Sequence, residues 1–206
     1  MAITWVIKLG GSLFDSDRLR GWLDALAEAA VVIVPGGGPF ADQVRLAQQR
    51  WRFDDQTAHV MAILAMAQYG RMLAGIEPGI TATSDVEALS ALAEAGRPAV
   101  WLPDPDKLAD AAIAASWDVT SDSLAAWLAC RIGARRLLLV KSAPVPAGTV
   151  PVGACVSAGW LDPAFPRFFA NCRCDTWLCG PEAHRGLRQS LCRPEISFTR
   201  VIHEAV

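Results

Sequence analysis

A chain of 206 residues that is 52% hydrophobic and 19% charged can bury a large core, which excludes a disordered or low-complexity protein. A net charge of -2 with scattered arginines excludes a basic nucleic-acid-binding face. The apolar runs are well short of a membrane span, and the first residues run into a strand pattern without a basic leader, so a cytoplasmic protein without a membrane partner is expected.

Residues 5–13, WVIKLGGSL, set the pattern for the rest. Trp5, Val6 and Ile7 suit a buried strand. Gly10 and Gly11 let the backbone approach a ligand so that several N–H groups point at one anion. Lys8 stands just before that turn, and only Lys107 and Lys141 share its type among 19 basic residues. The segment reads either as a phosphate site at the carboxyl end of a strand or as a plain strand and glycine turn.

Asp15, Ser16 and Asp17 offer caps for a helix through about residue 30, with Trp22, Leu23 and Leu26 on its apolar face. Residues 31–34 form a wholly apolar run, as expected of a parallel strand covered on both faces. Gly36, Gly37 and Gly38 follow, and Pro39 suits the first turn of the next helix, whose free N–H groups favour an anion. Residues 54–74 read as a long amphipathic helix. His59 and Tyr69 lie ten apart, close to three turns, and are candidates for a common face. His59 reads as a substrate contact or as a solvent-facing histidine.

A helix over 85–95, a strand over 99–102 and a helix over 108–115 continue a βαβ alternation with a mainly parallel sheet. Lys107, among Asp104, Asp106 and Asp110, reads as part of a solvated charged face. Thr120, Ser121, Asp122 and Ser123 crowd the start of a helix running to Gly133. Residues 137–140 are a buried strand with Lys141 and Ser142 at its end. Beyond it, 143–172 reads as loops and short strands, 175–179 as a strand, 181–192 as a helix and 196–202 as a closing strand. The six cysteines read as reduced thiols. The Cys172, Cys174, Cys179 and His184 spacing fits no common zinc pattern, so no metal site is assigned.

Four blocks in order, KLGGS at 8–12, VPGGGPFAD at 34–42, TSD at 120–122 and LLLVKS at 137–142, resemble the amino acid kinase superfamily. Its members include acetylglutamate, aspartate, uridylate, carbamate and isopentenyl phosphate kinases. The blocks AHVMAILAMAQYG at 58–70 and WDVTSDSLAAWLA at 117–129 are similar to those of short members from methanogens and methylotrophic bacteria. Those members phosphorylate an aminomethylfuran methyl phosphate to its diphosphate in methanofuran synthesis.

The resemblance implies a three-layer αβα sandwich with a mainly parallel central sheet. It implies one domain over 1–206, with the acceptor bound by about the first 115 residues and the nucleotide by the rest. ATP and Mg²⁺ would be the cofactors, a small phosphate the partner molecule, and a homo-oligomer is compatible with the family. By match of motif, Lys8, Asp122 and Lys141 would be catalytic, with Gly10, Gly11 and Ser12 holding the transferred phosphoryl group. Gly36, Gly37, Gly38 and His59 would face the acceptor; Thr120, Ser121 and Ser142 would face the nucleotide. Phe40, Trp51 and Trp117 would favour a flat or apolar acceptor. Many members carry a later Gly-Gly-Met stretch and a second catalytic lysine, whereas this chain has no lysine after Lys141. Lys141, Arg167 or Arg173 would have to substitute. Two other readings stand beside this one: a kinase for another acceptor, such as an amino-acid carboxylate, and a nucleotide- or oxyanion-binding protein without turnover.

Overall fold

The computed structural model describes residues 5–109 and 113–204. One eight-stranded sheet organises it: β1 (Trp5–Leu9), β2 (Val31–Pro35), β3 (Thr81–Thr83), β4 (Ala99–Trp101), β5 (Arg136–Val140), β6 (Thr149–Pro151), β7 (Asp175–Cys179) and β8 (Thr199–Ile202), in the spatial order β3-β4-β2-β1-β5-β7-β8-β6. All neighbours run parallel except β7 and β8. The chain moves outward from β1 to β2 on one side and to β5 on the other, so the carboxyl ends of these three strands flank a switch point where open α/β sheets bind ligands.

Helices cover both faces, as the wholly apolar central strands require. On one face Val6, Val34, Leu137 and Leu139 pack against α4 (Val86–Glu94), α6 (Ser121–Arg131), α7 (Val152–Ser157) and α8 (Phe165–Asn171). On the other, Ile7, Leu9, Ile33 and Leu138 pack against α1 (Arg18–Ala27) and α9 (Leu187–Cys192). The α2 helix (Gly38–Trp51) and the long α3 (Asp55–Ile76) flank the carboxyl end of β2. Asp54 caps α3 by accepting from Thr57 N at 2.8 Å. The three-layer αβα sandwich with a mainly parallel sheet is therefore present.

Several local expectations change. The helix expected over 108–115 is α5 (Pro105–Ala109), started by the proline; 113–115 are not helical, and 110–112 lie outside the described residues. The segment 143–172, read as loops and short strands, holds the short strand β6 but also α7 and α8, whose Val152, Cys155, Phe165 and Phe169 are buried against α6 and the sheet. Tertiary burial overrides the low helix propensity of this Gly- and Pro-rich stretch. The expected 181–192 helix is helical only as α9, after turns at 181–186. The closing strand shortens to β8, preceded by α10 (Pro194–Ser197). Cys172 and Cys174 are joined by a disulfide, so they are not reduced thiols; Cys130, Cys155, Cys179 and Cys192 are free. Among the described residues no helix is long and apolar enough to cross a membrane.

Candidate functional site

Strand alternation decides which way the two lysines face. Val6 belongs to the α6 side of the sheet and Ile7 to the other, so Lys8 faces α6; Leu137 and Leu139 place Lys141 on the same side. Lys8 pairs in register with Val34 on β2 and Leu139 on β5, at the centre of the sheet. The first turn of α6 presents Asp122 to both ammonium groups. Lys8 Nζ lies 3.0 Å from Asp122 Oδ1, and Lys141 Nζ donates to Oδ2 at 2.7 Å. All three side chains are about nine-tenths buried.

This triad carries one net positive charge in a buried place. Burial alone would raise the Asp122 carboxyl, but Lys8 and then Lys141 more than offset it and hold it below the ordinary carboxylate value. Burial first, and then the neighbouring Lys8 charge, lower the Lys141 ammonium to about 8, with Asp122 pulling the other way. Two cations held on one carboxylate make a ready anion site.

A residue that the motifs do not reveal holds the α6 terminus. Asp162, itself buried, accepts from Thr120 N at 3.0 Å, Thr120 Oγ1 at 2.8 Å and Ser123 N at 3.0 Å through Oδ2, and from Ser123 Oγ through Oδ1. A carboxylate at this end also meets the positive pole of the helix dipole. It therefore positions Asp122, one residue before Ser123. Asp162→Ala leaves four donors without their acceptor and is expected to cost about 2–4 kcal/mol. Urea denaturation measures this; a loss under about 0.5 kcal/mol would show that the cap is dispensable.

The two glycine loops meet backbone to backbone. A Cβ on Gly11 would overlap Gly38 N, and one on Gly36 would overlap Gly11 N. Gly38 also has φ +54°, a conformation other residues rarely adopt. Glycine is therefore required by the close approach of the loops themselves. The Lys8 ammonium curls beside Gly10, whose added Cβ would sit 3.4 Å from Nζ.

A cavity of about 330 Å³ opens beside these loops. Gly11, Ser12, Gly37, Gly38 and His59 line it, as do Thr120 and Ser121. Thr120 and Ser121, expected on a nucleotide, thus share a wall with the residues expected on an acceptor. The Thr120 hydroxyl is committed to the helix start, donating to Asp162 and accepting from Asp122 N at 3.3 Å. Gly10 and Gly36 lie behind this lining, and Ser142 is exposed just after β5. His59 is half-buried on the cavity, and burial lowers its pKa below 6.5, leaving the ring neutral near pH 7. Tyr69 does not share that face: it is wholly buried in the core toward α1, because ten residues carry a helix well past whole turns. Its burial, with Asp15 nearby, raises the phenol pKa.

Of the three aromatic candidates, Trp117 lines the cavity and Phe40 packs edge-on against Phe14 with centroids 6.1 Å apart. Trp51 is 71% exposed at the far end of α2 and takes no part. Arg167 and Arg173 line two separate surface grooves, the first with Trp127 and Cys130, the second with Phe169 and His203. Neither reaches the triad, whereas Lys141 is in it. Lys107 is exposed and donates to Ser84 O at 3.3 Å. Among the described residues no three His, Cys, Asp or Glu side chains gather as a metal-binding group. Sequence reading missed Asp15, Asp42, Arg45 and Asp55 on the cavity wall. The signal available was Asp42 and Arg45 one helical turn apart after the glycine loop.

The fold and this geometry define an α/β protein with a glycine-walled cleft at the carboxyl ends of its central strands, beside a buried, net-positive triad. The chain belongs to the amino acid kinase family, whose model matches residues 4–144. It is 30% identical over 138 residues to the [5-(aminomethyl)furan-3-yl]methyl phosphate kinase of Methanocaldococcus jannaschii. That match covers 65% of this chain and 63% of the relative, so the aligned part spans less than two thirds of the relative's length. The fold is similar to that of uridylate kinase from Archaeoglobus fulgidus, with a TM-score of 0.72 and 17% identity over 96% of this chain and 99% of that one. It is also similar to UMP kinase from Bacillus anthracis, with a TM-score of 0.71 and 15% identity over 98% and 97% of the two chains. At such identities these two likenesses speak for the fold alone.

Proposed function

We propose that this protein is an ATP-dependent small-molecule kinase that phosphorylates a phosphate monoester such as [5-(aminomethyl)furan-3-yl]methyl phosphate to its diphosphate, in methanofuran-type cofactor synthesis. The observation that carries this reading is the Lys8–Asp122–Lys141 triad beside a glycine-walled cavity. The relative's activity supports the choice of acceptor. In this reading the chain acts as one domain, with acceptor contacts mostly before residue 115 and nucleotide contacts mostly after it.

Phosphoryl transfer asks the protein for position and charge. An acceptor phosphate oxygen, already ionised near neutral pH, forms the new bond to the γ-phosphorus. The bond to the β-phosphate bridging oxygen breaks, and ADP leaves with that electron pair. Because the acceptor oxygen is already ionised, no general base is needed. Lys8 and the amides of Gly10, Gly11 and Ser12 neutralise and orient the moving group; Lys141 meets the nucleotide phosphates; Asp122 holds both lysines. Mg²⁺, carried by the nucleotide phosphates, would supply further neutralisation there.

The test is ADP release from Mg-ATP with acceptors offered in turn, the aminomethylfuran phosphate first. Turnover with that compound above all others supports the reading. A different preferred acceptor would overturn the pathway, and ATP binding by calorimetry without turnover on any acceptor would overturn catalysis. The lowered Lys141 pKa adds a pH prediction. Lys141 loses its charge as pH rises through about 8, so kcat/KM for ATP is expected to fall above pH 8. The limb in kcat lies at higher pH, because bound phosphates favour the charged form. A pH-independent kcat/KM from 7 to 9.5 would remove Lys141 from the chemistry.

A further inference from the structure

Resting on the kinase reading above, we propose that Arg45 and Asp55 are the two poles of the acceptor cavity: Arg45 takes the phosphate of the acceptor named there, and Asp55 takes its primary ammonium. Both residues line the one cavity, yet among the described residues neither takes part in an ion pair. A guanidinium and a carboxylate on the same cavity would collapse onto each other unless something held them apart.

What holds them is a relay of side chains. The Arg45 guanidinium carbon lies 4.3 Å from the centre of the Trp117 ring. The indole Nε1 of Trp117 donates to Gln48 Oε1 at 2.7 Å, and Gln48 Nε2 donates to Asp55 Oδ1 at 2.8 Å and to Phe53 O at 3.3 Å. Both ends of the Gln48 amide are thus engaged, which fixes its orientation and locks Trp117 and Asp55 into one unit. A guanidinium resting on an indole face keeps its N–H edge for a phosphate, the group its planar fork fits best. Asp55 spends Oδ1 on Gln48 and offers Oδ2 to a donor.

The charge on the wall points the same way. Asp15 and Asp42 join Asp55 there, and His59 is neutral near pH 7, so three carboxylates face one guanidinium. A phosphate dianion with no cation of its own would meet three carboxylates on this wall, set against Arg45 and the one net positive charge of the triad beside it. An ammonium at the other end of the same molecule turns their repulsion into attraction. A nucleoside monophosphate with a neutral base lacks this group and is disfavoured.

The experiment compares two acceptors under Mg-ATP: [5-(aminomethyl)furan-3-yl]methyl phosphate and its counterpart with hydroxymethyl in place of aminomethyl. Wild type is expected to prefer the amine by about 10- to 100-fold in kcat/KM, carried by KM, the scale of one charge-assisted hydrogen bond. Asp55→Asn keeps an acceptor for Gln48 and is expected to bring the two acceptors level. Arg45→Gln is expected to raise KM for both acceptors alike, by a similar factor. Equal use of both acceptors by wild type overturns the proposal, and this comparison decides even if the variants fail to fold. A uniform loss on both acceptors in a folded Asp55→Asn also overturns it. No ADP release from either acceptor by ATP-binding wild type overturns the kinase reading itself, and the proposal with it.

Discussion

Lys8→Met is expected to lower phosphoryl transfer by at least about 10³-fold while the protein melts within about 3 °C of wild type. The two halves of this result have separate causes. Lys8 is 8% exposed on the central strand, so its stem packs like an apolar side chain, and methionine replaces that volume. Removing its charge also leaves Asp122 paired with Lys141 at 2.7 Å, turning a net-positive buried triad into a neutral pair. Folding therefore loses little. Catalysis loses the cation nearest the glycine turn, where charge must be neutralised as the phosphoryl group moves. Steady-state ADP release and a thermal melt give the two readouts. A variant keeping a tenth or more of wild-type kcat would remove the first glycine loop from the chemistry.

Asp122→Asn is expected to fail differently, losing stability and rate together. The change leaves two buried ammonium groups without an anion, and breaking such an arrangement costs about 3–5 kcal/mol. Rate falls by about 10²–10³-fold, since both lysines lose the group that fixes them. The stability loss has a pH signature. With no carboxylate, Lys141, already lowered to about 8 by burial, is held still further below its ordinary value of 10.5. The unfolded chain then binds more protons than the folded one, so the stability of the variant rises as pH is raised from 7 toward 10. Inorganic phosphate or ATP is expected to raise its melting temperature more than that of wild type, by supplying the missing anion. A variant as stable as wild type at pH 7, with no response to phosphate, would show that Asp122 does not hold the lysines.

Much of this was legible along the chain because the signals are local. Buried parallel strands show as apolar runs, and their ends show as glycines; β1, β2, β5 and β7 follow from that punctuation within a residue or two. Period-two alternation carries the facing of Lys8 and Lys141, and a crowded helix start carries Asp122. Where burial by distant partners outweighs local propensity, the reading fails. The α7 and α8 helices sit in a Gly- and Pro-rich segment, and their helicity depends on packing Cys155 and Phe165 under α6. Turns at 181–186 shorten the helix expected over 181–192 to its second half.

The sequence by itself determined the sheet's central strands, the glycine runs that end β1 and β2, and the crowded helix start that carries Asp122. Each of these depends on residues close together in the chain, whose spacing and type dictate backbone geometry directly. Only the tertiary structure decided that Asp162 caps α6 from 39 to 42 residues away, and that Gln48 reaches 69 residues to Trp117. Only it decided that Arg45 and Asp55 share a cavity without pairing. Such contacts leave no periodic trace, because they arise from which surfaces the sheet order brings face to face.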